Sequence, residues 1–391
     1  MLSAQTQALI KATVPALEAV NEKLTSHFYK IMFSEYPQVR ALFNQTHQQS
    51  GDQPRALANS VIAYAKHIDR LEALGSAVGL IVHKHASLNV LPEHYPIVGS
   101  CLLRAIREVL GAAATDEIVD AWAQAYQQLA DILIQAEEQV YAEHEQANGG
   151  WRGVRPLKVT RKVKESDEIT SFYLEATDGR PLLAATPGQY LALRFVMDGQ
   201  EMRRNYSLSD VTDGSHYRIS VKHEPGGVIS THLHDRVAVG DLLEAFPPCG
   251  DFVLNPGQKP LLLLSGGVGL TPTVAMLNAA VGSGRPIHFL HCARNRAVHA
   301  FREHVDGLAA RHANLRRTYL YSQPAAADQA DAVGLISESV LAGALPADRD
   351  AEVYFIGPKP FMAEVKRLLA KLGVPEPQTH YEFFGPLQTL E

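Results

Sequence analysis

Residues 260–272 read PLLLLSGGVGLTP. The leucines at 261–264 form a short continuous apolar run, the pattern of a strand buried on both faces. Ser265-Gly266-Gly267-Val268-Gly269 turns the chain, and Leu270-Thr271-Pro272 opens a helix. Strand, glycine turn and helix make the repeating unit of a parallel α/β sheet. Three more strand-like runs follow, IHFLHCARN (287–295), RRTYLYS (316–322) and AEVYFIGP (351–358), with helical stretches between them. The sequence therefore predicts an α/β domain with a parallel sheet over 257–391.

Upstream of Pro256 the texture differs. RPLKVTRKVK (155–164), ITSFYLEA (169–176), QYLALRFV (189–196), RRNYSLSD (203–210) and YRISVKH (217–223) alternate in polarity, with Asp178-Gly179, Asp198-Gly199 and Asp213-Gly214 as turn signals. This predicts an antiparallel β-barrel over 148–256. The loop Asn148-Gly149-Gly150 separates it from residues 1–147, which read as helix throughout. Ser3 is expected to cap a first helix running to about Val20, kinked at Pro15. Helical spacing then covers Asn21–Phe33, Pro37–Phe43, Asp52–Leu71, Ala73–Leu88, Tyr95–Leu110 and Asp116–Tyr141. An all-α domain of roughly six to eight helices is expected.

The chain has 391 residues, with 36 Lys and Arg against 42 Asp and Glu, a net charge of −6. That balance argues against nucleic acid or an anionic membrane surface as the partner. A hydrophobic share of 46% and a charged share of 20% exclude disorder and coiled coil as global descriptions. No apolar run approaches the roughly 18–20 residues that span a bilayer. MLSAQTQALIKATVPALEAV (1–20) lacks the basic and apolar regions of a signal peptide. Cys101, Cys249 and Cys292 are far apart and odd in number, so they make no disulfide framework. A cytoplasmic monomer without stable membrane association is expected.

Among 17 histidines one alone says little; a constellation says more. His85 stands late in a helical run, followed by Leu88, Val90, Pro92 and Tyr95. Gln53 and Leu57 are four apart and share a helix face. Phe28 and Tyr29 lie on an earlier helix beside Phe43. One imidazole, aromatic walls and polar groups opposite are what a haem pocket requires. His83 competes with His85, and Tyr29 by itself reads as ordinary core packing.

With KHASLNVLPEHYPIVG (84–99) and DAWAQAY (120–126), these residues resemble the globin domain of the flavohaemoglobins. The resemblance implies that His85 is the proximal iron ligand and that Phe43 packs on the porphyrin. It implies that Tyr29 donates its hydroxyl to a bound gas, assisted by Gln53, with Leu57 as a steric wall. Tyr95 and Glu137 match the pair that hydrogen-bonds the ligand imidazole and strengthens it as an electron donor. Glu138 competes with Glu137, because helix register is uncertain by one residue.

Arg204-Asn205-Tyr206-Ser207 resembles the R-x-Y-[ST] signature of the ferredoxin–NADP⁺ reductase superfamily. On a strand Arg204 and Tyr206 share a face. Arg204 would neutralise a pyrophosphate, Tyr206 would stack on isoalloxazine, and Ser207 would hydrogen-bond near the flavin N5. Tyr190 would lie against FAD. In HEPGGVIS (223–230), Gly226, Gly227, Val228 and Ser230 would receive phosphate at a helix N-terminus. Gly266, Gly267, Val268, Gly269 and Leu270 would do the same for a nicotinamide dinucleotide, with Thr271 and Pro272 shaping the nicotinamide end. Arg294 and Arg296 stand where a 2′-phosphate would be met, and read equally as solvated arginines.

IGPKPFM (356–362) matches a reductase element that usually has Cys where this chain has Ile356. In YEFFGP (381–386), Phe384 would shield the flavin, flanked by Phe383, Gly385 and Pro386. Glu382 would reach Lys84 as a cross-domain ion pair. The resemblance to the flavohaemoglobins implies nitric oxide dioxygenase activity, in which NADH or NADPH would reduce FAD, FAD would reduce haem b, and NO and O2 would become nitrate. The rival readings are an NAD(P)H-dependent haem or flavin reductase and an O2-binding redox sensor.

Overall fold

The computed structural model describes residues 2–43 and 52–385, apart from the side chains at 52–54, 73, 74, 76 and 77. The Gln53 side chain and Pro386 lie outside the described residues. The chain divides into two compact units, residues 1–146 with 194–204, and residues 147–193 with 205–384.

The first unit is helical. Its helices are α1 (Ala4–Glu35), α2 (Asp52–Lys66), α3 (Gly75–Ser87), α4 (His94–Leu110) and α5 (Asp116–Gln146). Ser3 caps α1 by accepting the Thr6 N–H at 3.0 Å. The helix then runs unbroken through Pro15, where a kink was expected. Pro15 and Lys11 are both exposed, so the Lys11 carbonyl that loses its partner stays on the solvent side.

Ile10, Leu17, Phe28 and Met32 form the buried side of α1. Each such side chain contributes about 1.5–3 kcal/mol. The Trp122 indole donates to Thr13 Oγ1 at 3.2 Å, and Tyr64 donates to the Ala125 carbonyl at 2.8 Å. A Cβ at Gly99 would lie 2.5 Å from the Tyr126 ring, so glycine sets the approach of α4 to α5.

Two sheets follow the helices, and residues 194–204 of the first sheet belong to the first unit. Strands β1 (Arg155–Lys164), β2 (Ile169–Ala176), β3 (Tyr190–Met197), β4 (Gln200–Ser207), β5 (His216–Lys222) and β6 (Leu242–Ala245) form one sheet in the order β4-β3-β6-β1-β2-β5. β1 pairs antiparallel with β2 and β6, and β2 pairs antiparallel with β5. An antiparallel bridge between Leu208 and Ile219 joins the two edges, which closes the sheet into a barrel. The short helix α6 (Val228–Asp235) follows β5.

The second sheet is parallel. Its strands are β7 (Leu261–Gly266), β8 (Ile287–Ala293), β9 (Leu315–Tyr321), β10 (Ala332–Val333), β11 (Glu352–Ile356) and β12 (Thr379–Tyr381), in the order β10-β9-β8-β7-β11-β12. Every residue of β7 is buried, as its leucine run requires. Helices α7 (Leu270–Ala280), α8 (Arg302–Arg311), α9 (Glu338–Ala344) and α10 (Lys359–Lys371) complete it. Leu261 and Leu263 pack in a core with α7 and α8, while Leu262 and Leu264 pack in one with α9 and α10.

Candidate functional site

His85 lies in the last turn of α3, and Glu137 lies on α5. The Glu137 side chain is 3% exposed and its Oε1 lies 2.7 Å from His85 Nδ1. Tyr95, on α4, donates its hydroxyl to the same oxygen at 2.5 Å and stands 3.2 Å from Nδ1. Burial, then the Glu137 carboxylate, pushes the Tyr95 phenol well above its ordinary pKa, so it stays a proton donor. Glu138 is exposed, so the fold presents Glu137 rather than its neighbour.

The carboxylate holds a proton at Nδ1 and leaves His85 Nε2 without a protein partner among the described residues. The ring is 33% exposed. A neutral imidazole oriented through Nδ1 by a carboxylate is the form that ligates iron. These residues fit a haem, which His85 would hold through Nε2. His83 has a buried Nδ1 with no hydrogen-bond partner and no orienting carboxylate of this kind.

Tyr29 sits in an aromatic cluster. Its ring lies 4.9 Å from Phe28, 5.5 Å from Phe33 and 5.6 Å from Phe43, the first and last edge-on. Leu57 and Phe43 pack on the same core as Tyr29. Tyr95 belongs to a second cluster with Val82, Val90 and Leu133. Leu42, Tyr126 and Leu129 touch both clusters.

In the barrel, Arg204, Asn205 and Tyr206 are half-buried and Ser207 is buried. Tyr190 is buried and bridges Cys249 through backbone bonds of 2.9 and 3.0 Å. Gly227 caps α6 with no side-chain bond to the helix amides. A Cβ there would lie 2.5 Å from Ser230 Oγ and 3.0 Å from the Glu224 carbonyl. Gly226 has φ +74° and Val228 is exposed. An uncapped N-terminus of this kind accepts phosphate.

The turn after β7 packs glycine on glycine. A Cβ at Gly269 would lie 2.3 Å from the Ile356 carbonyl, and one at Gly357 would lie 3.1 Å from Gly266 Cα. The GGVG and IGPKPF motifs, 90 residues apart in sequence, therefore meet at adjacent strand ends, where β7 pairs with β11. Gly266, Val268 and Leu270 form this turn and the start of α7, and Gly267 takes φ +55°. Thr271 and Pro272 are buried, and the Thr271 hydroxyl donates to the Val268 carbonyl at 3.0 Å. Ile356 is fully buried.

Arg294 and Arg296 are both exposed, and Arg294 is paired with Glu168. Phe383 packs on the sheet core, and Phe384 is 46% exposed. Lys84 and Glu382 are half-buried, each in its own unit. Gly385 is half-buried.

Beneath the glycine turn lies a polar cluster that the sequence reading missed. His291 Nδ1 is 2.9 Å from Ser265 Oγ, and the His291 ring is 4.5 Å from that of His299. His299 Nδ1 meets the Tyr321 hydroxyl at 2.8 Å. Burial pushes the His291 pKa down to about 3 and also lowers that of His299, with nearby cations such as Arg302 adding to it. Both imidazoles are neutral in the fold, so their contribution is complete above the unfolded value of about 6.5 and lost as pH falls below it. Denaturant midpoints should therefore drop between pH 7 and 5. Once fully below 6.5 each imidazole adds a slope of about 1.4 kcal/mol per pH unit. His291→Gln should flatten that limb; an unchanged limb would remove His291 from the account.

Three family models match the chain. They are Globin over residues 26–133, Oxidoreductase FAD-binding domain over 156–254 and Oxidoreductase NAD-binding domain over 263–367. The flavohemoprotein of Pseudomonas putida is 62% identical over 392 residues, covering 100% of both chains. The chain belongs to the flavohaemoprotein family. The flavohemoprotein of Pseudomonas aeruginosa is 61% identical over the same full coverage.

Among solved structures, the flavohemoglobin of Malassezia yamatoensis, with bound FAD and heme, aligns with a TM-score of 0.87 at 27% identity. It covers 98% of this chain and 100% of that one. The FAD/NAD-binding domain of a nitric oxide dioxygenase from Vibrio cholerae aligns at 0.55 and 33% identity, over 59% of this chain and 99% of that one. The cofactors of this flavohaemoprotein are haem, FAD and a nicotinamide nucleotide, and electrons pass from NAD(P)H through flavin to haem. No described helix is long and apolar enough to cross a membrane.

Proposed function

We propose that the protein is an NAD(P)H-dependent nitric oxide dioxygenase that converts NO and O2 to nitrate and so removes NO. The observation that carries this is the buried Glu137 carboxylate on His85 Nδ1. A ligand made that basic favours oxygen activation over reversible storage. When bound, haem supplies the iron that takes gas and electrons, and FAD divides a hydride into single electrons.

The chain's own residues do the rest. Tyr95 and Glu137 hold the Nδ1 proton and fix the ring. Tyr29, walled by Phe28, Phe33 and Phe43, presents a phenol O–H in an apolar setting where a hydrogen bond to developing negative charge is strong. Arg204 neutralises the flavin pyrophosphate, and Tyr206 orients the ring system. The 266–269 turn binds the nicotinamide pyrophosphate through backbone N–H groups. Ile356 supplies a packed apolar wall where relatives of the reductase superfamily present a thiol.

The test is an NO electrode trace with the full haem- and FAD-loaded chain, O2 and NADH or NADPH. Rapid NO loss with nitrate as product is expected. Slow NO loss beside fast reduction of an artificial acceptor would favour the reductase reading. Tyr29→Phe should slow NO consumption roughly a hundredfold while flavin reduction stays unchanged. Equal rates in the variant and the parent would remove Tyr29 from the chemistry.

A further inference from the structure

α3 ends in a Schellman motif. Asn89 takes φ +51°, its N–H donates to the Ala86 carbonyl at 3.0 Å, and the Val90 N–H donates to the His85 carbonyl at 3.0 Å. The Leu88 N–H is shared between the Lys84 and His85 carbonyls at 3.3 and 3.1 Å. The backbone thus satisfies its own carbonyls at 84, 85 and 86. The Leu88 carbonyl is taken instead by the guanidinium of Arg203, through Nη1. Leu88 and Arg203 belong to the same compact unit.

Arg203 is held for this task. Its side chain is 12% exposed, and Nε and Nη2 bind Glu201 Oε1 at 2.6 and 2.5 Å. Glu201 is two residues away along β4 and so on the same face. Its other oxygen lies 3.6 Å from Arg194. The carboxylate fixes the guanidinium plane and directs Nη1 away from the strand. The cation also sits favourably at a helix C-terminus. His94, next to this loop, accepts the Leu91 N–H at 2.9 Å and carries a lowered pKa, chiefly from burial, with Arg203 adding to it. Arg203 is followed directly by Arg204, the first residue of the flavin motif.

We infer that Arg203 is a positioning residue. It clamps the end of the helix that bears His85 to the strand that bears the flavin motif, and it sets the rate of the flavin-to-haem step. The inference rests on the electron chain of the family and not on which gas the haem then takes.

The test uses the full, cofactor-loaded chain in anaerobic stopped flow, reading flavin bleaching and haem reduction separately, with amide hydrogen exchange on residues 88–91. In Arg203→Ala, flavin bleaching should keep the parent rate. Haem reduction should slow roughly ten- to a hundredfold, the scale on which remote misplacement acts. Exchange at Asn89 and Val90 should quicken. Arg203→Lys, which keeps one donor and the charge, should restore part of both. Unchanged haem reduction with unchanged exchange would overturn the inference. So would equal slowing of both steps, which would make Arg203 part of the flavin site. Failure of NO turnover with the two electron steps intact would count against the dioxygenase reading alone.

Discussion

Replacing Glu137 with glutamine should lower NO turnover roughly ten- to a hundredfold, the usual cost of losing a carboxylate behind a metal-ligating histidine. Glutamine keeps the volume of a site that is 3% exposed on the carboxylate side, so packing is preserved. What is lost is the charge. The amide cannot draw the Nδ1 proton as a carboxylate does, and the Tyr95 hydroxyl, which donates to the same oxygen at 2.5 Å, loses a charged acceptor. Tyr95→Phe should cost less, since His85 keeps its 2.7 Å contact with Glu137. The double variant should fall short of the sum, because the three groups form one network. Steady-state NO consumption and pre-steady-state flavin reduction check this together. Turnover should fall while flavin reduction does not. Parent-like turnover in Glu137→Gln would mean that the network serves only packing.

Gly269→Ala should abolish flavin reduction by NADH and NADPH and destabilise the second unit by about 3 kcal/mol. The added Cβ would lie 2.3 Å from the Ile356 carbonyl and 2.7 Å from its carbon. That is backbone of β11, which cannot swing aside. The turn must move away from Gly357, and the N–H groups that meet the pyrophosphate move with it. Gly267→Ala is the control. It meets no atom within 4 Å, but its φ of +55° is unfavourable for a side chain. It should cost about 1–2 kcal/mol and leave nucleotide binding largely in place. Denaturant melts of the FAD-loaded chain and nucleotide titrations separate the two. Similar losses in both variants would contradict the contact argument.

Much of the fold was legible because its periodicities are long. β1 and β2 coincide with the runs RPLKVTRKVK and ITSFYLEA, and β7 with the leucine run. β6, β10 and β12 have four, two and three residues, too few to show alternation. α1 was expected in two pieces, divided at Val20 and Asn21, with a kink at Pro15, yet it runs unbroken from Ala4 to Glu35. The proline signal does not show whether the orphaned carbonyl will face water.

The site divides in the same way. Local motifs were readable, but partners brought together by the fold were not. Helix periodicity cannot separate Glu137 from Glu138; only the packing of α5 buries one and exposes the other. His291 shares a face of β8 with Ile287 and Phe289, which marks it as inward-facing. Nothing in the sequence announced Ser265 and His299 as its neighbours. Arg203 was hidden by the stronger motif beginning at Arg204.

The most direct test is the balance sheet of a limited reaction. A known amount of NADPH or NADH is given to the loaded protein with excess NO and O2, and nitrate is counted. Each nicotinamide oxidised supplies two electrons, so two NO and two O2 should appear as two nitrates. That ratio, lost in Glu137→Gln at equal flavin reduction, is the predicted result. Nicotinamide oxidised with hydrogen peroxide as product and little nitrate would contradict the account.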